Sequence, residues 1–168
     1  MKTVYADTFA LKAGACYVRI QAMARKHHIT LEQEFDARDS DPQTRHLLLL
    51  DDDFPIACAR FYPLGGDAVM LGRIVVLPEY RGKGLGSRIV RAAEARAAAE
   101  GFRLAVLEAR IGKVGFYERL GYAAAAGAPV IRGETFDCIR MEKTLKQETT
   151  SRNLHENCGT ALDFSVNP

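Results

Sequence analysis

A chain of 168 residues, 48% of them hydrophobic, has material for one packed domain and little for a second, which excludes global disorder. Its formal net charge of +2 is too small for nucleic-acid binding by bulk electrostatics, so no nucleic-acid partner is expected. No apolar run approaches a membrane span, and Asp7 interrupts the first ten residues before they could read as a signal peptide, so the expectation is a soluble cytoplasmic protein with no membrane partner.

In chain order, residues 4–9 read as a short strand. Residues 13–28 read as a helix, with Tyr17, Ile20, Met23 and Ala24 at helical spacing. The polar stretch 30–42 reads as a loop with room for one helical turn. Residues 45–50 form a continuous apolar strand stopped by Asp51, Asp52 and Asp53. Residues 55–62 form its partner, closed by the turn residues Pro63, Gly65, Gly66 and Asp67. A strand over 68–77 ends at Pro78. A helix over 87–100 follows, its buried stripe being Leu85, Ile89, Ala92, Ala93 and Ala97, with Gly101 as its cap. The strand 103–110, the short helix 114–120 ended by Gly121, and late strands at 130–132 and 135–143 complete the order. Mostly antiparallel strands followed by a strand–turn–helix–strand unit imply an α/β fold with a mixed, mostly antiparallel sheet flanked by helices and a parallel pair within it. The domain is expected over 1–145, with a flexible polar tail over 146–168.

The four cysteines, Cys16, Cys58, Cys138 and Cys158, have no CxxC spacing, which favours free thiols in a reducing compartment. No residue set has metal-ligand spacing. His27 and His28 point to different helix faces, and the Asp51–Asp53 turn lacks the remaining ligand positions of a calcium loop. Cys138 as a covalent nucleophile has no histidine near it in sequence.

The informative stretch is Val76-Leu77-Pro78-Glu79-Tyr80-Arg81-Gly82-Lys83-Gly84-Leu85-Gly86-Ser87, where a buried strand feeds a turn with alternate glycines that opens into a helix. Glycine permits positive φ and close approach of a ligand to the backbone. Successive amides and the positive end of the helix then make an anion site suited to a phosphate or diphosphate. Arg81, Lys83 and Arg88 add formal charge. A P-loop is excluded because position 77 is Leu and no Ser or Thr follows Lys83. A dinucleotide fingerprint is disfavoured because the third glycine is misplaced.

The R-x-x-G-x-G spacing after V-x-P-x-Y resembles the acetyl-coenzyme A motif of the GNAT superfamily of N-acetyltransferases. The block Gly115-Phe116-Tyr117-Glu118-Arg119-Leu120-Gly121-Tyr122 is similar to the family's F-Y-E-x-L-G-F signature, one helix and one strand further on. Val18-Arg19 and the acidic run from Glu34 through Asp36 to Asp39 resemble features of a small bacterial subgroup. The resemblance implies acetyl-coenzyme A as co-substrate and no metal. The pantetheine arm is expected along Ile74, Val75 and Val76, and the diphosphate on Arg81, Gly82, Lys83, Gly84, Leu85, Gly86 and Ser87. A strand N–H near Val76 would polarise the thioester, and Tyr117 would be the general acid toward the leaving thiolate. Glu34 and Glu108 are the candidate bases, alongside Asp36, Glu79 and a water chain. The acceptor is expected to be a small-molecule or protein amine, and the acidic run 34–39 is compatible with a cationic one. A homodimer is compatible with the family. Arg110 and Lys113 depart from the family's Asn or Gln and Ala, and an arginine at position 110 could reach the cofactor's phosphates or ribose. The competing reading is a non-catalytic acyl-coenzyme A sensor on the same fold.

Overall fold

The computed structural model describes residues 1–146, so the expected tail, apart from Lys146, lies outside the described residues. Among these residues the sheet has eight strands: β1 (Lys2–Tyr5), β2 (Arg45–Asp51), β3 (Phe54–Gly65), β4 (Ala68–Val76), β5 (Leu104–Arg110), β6 (Ala123–Ala124), β7 (Val130–Ile131) and β8 (Cys138–Thr144). Their order is β1-β2-β3-β4-β5-β8-β6, with β7 also on β8. Every pairing is antiparallel except β4 with β5.

The helices are α1 (Phe9–Arg19), α2 (Arg25–His27), α3 (Leu31–Glu34), α4 (Leu85–Ala99) and α5 (Val114–Glu118). A π turn over Ile20–Ala24 joins α1 to α2. The first strand ends earlier than its apolar pattern suggests. Thr8 caps α1 by accepting a hydrogen bond from Leu11 N–H at 3.3 Å, which commits Phe9 to the helix. His28 ends α2 in the left-handed region, at φ 53°.

Strand alternation divides the core between the two faces of the sheet. Leu47, Leu49, Ala57, Phe61, Val69, Leu71, Ala105 and Leu107 pack against Leu85, Ile89, Val90, Ala93 and Ala97 of α4. Leu48, Leu50, Cys58, Val75 and Leu77 pack against Ala15, Val18 and Ala22 on the α1 side. Each fully buried aliphatic side chain, such as Ile89, contributes roughly 1.5–3 kcal/mol of transfer free energy. The alanines of α4 add helix propensity and allow close approach to the sheet. Ala92, expected in the buried stripe, is only partly buried, and Val90 takes the deeper position.

Candidate active site

β4 and β5 pair only through Ala68–Leu104, Val69–Ala105 and Met70–Val106. Beyond Met70 the two strands run on to Val76 and Arg110 without pairing, which opens a cleft between them. A β-bulge in β4 accompanies the separation. Between the pairs Arg60–Gly72 and Cys58–Val75, Arg73 and Ile74 together oppose Ala59. Arg73 sits at φ 50°, a left-handed conformation that costs a side-chain-bearing residue roughly 1–2 kcal/mol. Its carbonyl accepts from Cys58 Sγ at 3.5 Å. The extra residue resets the alternation, so Ile74 and Val76 face the α4 core while Val75 and Leu77 face α1.

Leu77 N–H donates to Ile56 C=O at 2.9 Å. Antiparallel alternation therefore directs the main-chain groups of Val75 toward Cys58 on β3, and those of Val76 toward the unpaired edge. There the Val76 carbonyl accepts from Arg81 Nε at 3.0 Å. The carbonyl of Ile74 follows the same alternation.

At the end of this edge, Pro78–Tyr80 makes a single 3-10 turn and leads into the glycine segment. Gly82 and Gly84 have φ of 77° and 73°, and a Cβ on either would meet nothing within 4 Å. Conformation rather than crowding demands glycine here, and the space above the turn is open. Gly84 is the N-cap of α4 and no side chain caps this end. The first intrahelical bond is Arg88 N–H to Gly84 C=O at 3.1 Å, so the amides of Leu85, Gly86 and Ser87 have no partner within the helix. The Leu85 side chain is buried in the core, leaving only its amide for a ligand. At Gly86 a Cβ would lie 3.4 Å from the Phe116 ring, so this glycine lets α5 close on α4.

Tyr117, next to Phe116 on α5, packs against the same core cluster as Ile74 and Val76. Its ring meets Phe116 at 4.9 Å and Tyr122 at 5.9 Å, both edge-on. Its hydroxyl makes no hydrogen bond among the described residues. Burial pushes the phenol up to about 12; Arg110 pulls the other way and Cys138 adds to the rise.

The two candidate bases have different surroundings. Glu34 is buried, its Oε1 2.8 Å from Arg19 Nε and 3.8 Å from Arg73 Nε. Glu108 is exposed on β5, two residues before Arg110 and across from Arg140, and no ion pair engages it among the described residues. The run 34–39 is not a solvated acidic patch. Asp39 accepts from Arg19 at 2.6 Å and pairs with Arg60 at 2.8 Å, while Asp36 takes a bidentate grip from Arg60 at 2.7 and 2.9 Å and a further contact from Arg73 at 3.2 Å. Three arginines balance three carboxylates, which removes the reason to expect a cationic acceptor from this segment.

An open groove of about 350 Å³ lies between Tyr17, Gln21, Arg25 and Lys26 on one side and the Leu77–Glu79 corner on the other. Nearby, burial lowers the His27 pKa, and Arg110, Lys26 and Arg81 lower it further. Cys138, across from Arg110 on β8, has its thiol pKa raised, chiefly by burial, which opposes a nucleophilic role. Among the described residues no group of three His, Cys, Asp or Glu side chains gathers as a metal site, and no helix is long and apolar enough to cross a membrane.

A sequence profile of the acetyltransferase (GNAT) family matches residues 14–122. The chain belongs to the GNAT acetyltransferase family. An uncharacterized N-acetyltransferase of Bacillus subtilis, YjcF, is 30% identical over 122 residues, covering 73% of this chain and 85% of the relative. Among solved structures, an acyl-CoA N-acyltransferase from Pseudomonas aeruginosa superposes with a TM-score of 0.75 at 23% identity, over 84% of this chain and 98% of the other. An aminoglycoside 6'-N-acetyltransferase complexed with coenzyme A superposes at 0.69 with 19% identity, over 87% and 98%. These neighbours share the acyl-CoA N-acyltransferase fold.

The residues of this GNAT chain fit coenzyme A on separate counts: uncapped amides at α4, open space over Gly82 and Gly84, and an unpaired β4 edge leading to them. Two features of the GNAT site escaped sequence reasoning. The bulge at Arg73 has no local signature, because arginine is not a residue chosen for positive φ. The burial of Arg19 was signalled only by its place beside Val18 in the subgroup's pattern.

Proposed function

We propose that the protein transfers an acetyl group from acetyl-coenzyme A to a primary amine by direct attack. The observation that carries this reading is the open β4 edge, which ends at the uncapped glycine turn; Tyr117 packs against the same core cluster as Ile74 and Val76 of that edge. Acetyl-coenzyme A supplies an activated acetyl thioester. The amides of Gly82, Lys83, Gly84, Leu85, Gly86 and Ser87 hold its diphosphate, with positive charge from Arg81 and Lys83. Ile74 and Val76 pair with its arm, and Val75 packs the opposite face. The Val76 N–H donates to the carbonyl oxygen as it gains negative charge. The amine nitrogen forms the new C–N bond, the C–S bond breaks, and the sulfur takes the Tyr117 proton. The amine's surplus proton leaves through Glu108 or water and restores the phenol. Glu34, engaged by Arg19, holds the fold around β4 rather than the proton.

A thiol-release assay with acetyl-coenzyme A and a panel of amines tests the reading. Amine-dependent release is expected. Tight binding of coenzyme A with no release for any amine would favour a sensor instead. Glu108→Gln is expected to lower kcat/KM at every pH, while a kcat/KM identical to wild type would assign deprotonation to water.

Gly84→Val tests the turn. A β-branched residue at φ 73° is strained by more than the roughly 1–2 kcal/mol of an ordinary side chain, and its methyls enter the open anion space. The Kd for coenzyme A is expected to rise about tenfold or more by calorimetry. An unchanged Kd would place the diphosphate elsewhere.

A further inference from the structure

Arg110 ends β5 at the open end of the cleft, with its guanidinium carbon 3.5 Å from the Phe136 ring centroid. Its Nη2 lies 2.9 Å from the Met23 sulfur, a weak acceptor. Among the described residues no carboxylate forms an ion pair with it. Glu34, whose charge reaches Arg110, is engaged by Arg19, and Asp137, beside Cys138, by Arg132. Glu108 shares its strand face without bonding to it. Three separate segments converge on this side chain: Met23 from the π turn, Phe136 from the approach to β8, and His27 of α2, which props Phe136 edge-on at 5.0 Å. A half-buried guanidinium floored by an aromatic ring, with no ion pair among the described residues, has the chemistry to bind a carboxylate.

Its position separates it from the diphosphate grip. Ala105, Leu107 and Ala109 face α4, so Arg110 falls on the opposite face, with Met23 and Phe136. Tyr117 lies within its field. The uncapped amides, Arg81 and Lys83 already serve the cofactor.

We infer that the acceptor is a primary amine that also carries a carboxylate, and that Arg110, stacked on Phe136, binds that carboxylate through its N–H fork. The inference rests on the acetyl-transfer reading and names its substrate class. A bound carboxylate would orient the amine toward the cleft, with Glu108 two residues back on the same strand face.

The test is a set of matched amines, each amino acid against its near-isosteric carboxamide, with kcat/KM referred to the neutral-amine fraction of each. Wild-type kcat/KM is expected to favour the acids by about tenfold to hundredfold. Arg110→Gln is expected to bring that ratio toward one, and Arg110→Lys to restore part of it, while the KM for acetyl-coenzyme A moves by less than about twofold. Calorimetry with coenzyme A on each variant reports whether it is folded. Should a variant not fold, the wild-type preference decides alone. Equal use of acids and carboxamides overturns the inference, as does coenzyme A binding with no amino acid acetylated or bound. A raised acetyl-coenzyme A KM in Arg110→Gln with the ratio intact would reassign Arg110 to the cofactor. Failure of wild-type protein to bind coenzyme A would instead defeat the acetyl-transfer reading.

Discussion

Tyr117→Phe is expected to lower kcat by about 10²–10⁴-fold while leaving the Kd for acetyl-coenzyme A nearly unchanged. The ring contacts to Phe116 and Tyr122 survive the substitution. The hydroxyl has no hydrogen-bond partner among the described residues, so its removal orphans nothing and stability should change by less than about 1 kcal/mol. What the proposed mechanism loses is the proton for the leaving sulfur. The pH dependence sharpens the test. Burial holds the phenol at about 12, so Tyr117 stays protonated and competent at every pH below that and deprotonates only as pH rises through it. An alkaline fall in wild-type kcat below pH ~10 would therefore report another group. Thiol release reads kcat, and calorimetry with coenzyme A reads the affinity. Unchanged turnover in the variant would remove Tyr117 from the mechanism.

Arg19→Ala is expected to cost about 3–5 kcal/mol of stability, because it strands two carboxylates that the fold has withdrawn from water. Arg19 is 1% exposed and Glu34 2%. The guanidinium donates to Glu34 Oε1, to the Glu34 carbonyl at 2.5 Å and to both oxygens of Asp39, and it lies over the Phe35 ring at 4.3 Å. No water can replace so many donors in place. For a domain of this size the loss corresponds to a Tm drop of roughly 6–20 °C by calorimetry. The double variant Arg19→Ala/Asp39→Asn should lose less than the sum of the singles, since the two share one network.

Acid should narrow the gap between Arg19→Ala and wild type. Burial alone would raise the Asp39 carboxyl, but hydrogen bonds from Arg19, Asp36 N–H and Arg60 hold it far below the ordinary 3.8. The two hydrogen bonds from Arg60 likewise lower Asp36. A depressed carboxyl contributes its full stability above the unfolded value and loses it as pH falls through the folded one. Wild-type stability should therefore begin to fall below about pH 4 and continue to fall further into acid. A wild-type unfolding free energy flat from pH 5 to 2 would show that these pairs contribute nothing net.

Much of the fold was legible because it is written in short-range patterns. Apolar runs at 45–50 and 68–77 became β2 and β4, and the alternate glycines opened a helix where the spacing said they would. The misses have local reasons. Thr8 claimed Phe9 for α1 by capping it, and β6, two residues long, is defined only by its partner β8. Among the proposed site residues, Tyr117 was singled out through its neighbours Phe116 and Glu118. Arg110 stood out only as a departure, and its stacking on Phe136 spans a sequence gap that no periodicity bridges.

Local chemistry in the sequence determined the glycine turn, the helix it opens and the order of strands, because φ preference, capping and apolar period act over a few residues. Only the tertiary structure decided the rest. The bulge at Arg73 and the parting of β4 from β5 follow from strand register. The pairing of Arg19, Arg60 and Arg73 with Glu34, Asp36 and Asp39, and the lack of an ion pair at Arg110 among the described residues, depend on charges brought together across segments far apart in the chain. Those contacts arise from long-range packing, where burial sets the strength of each charge and distant residues set its partner.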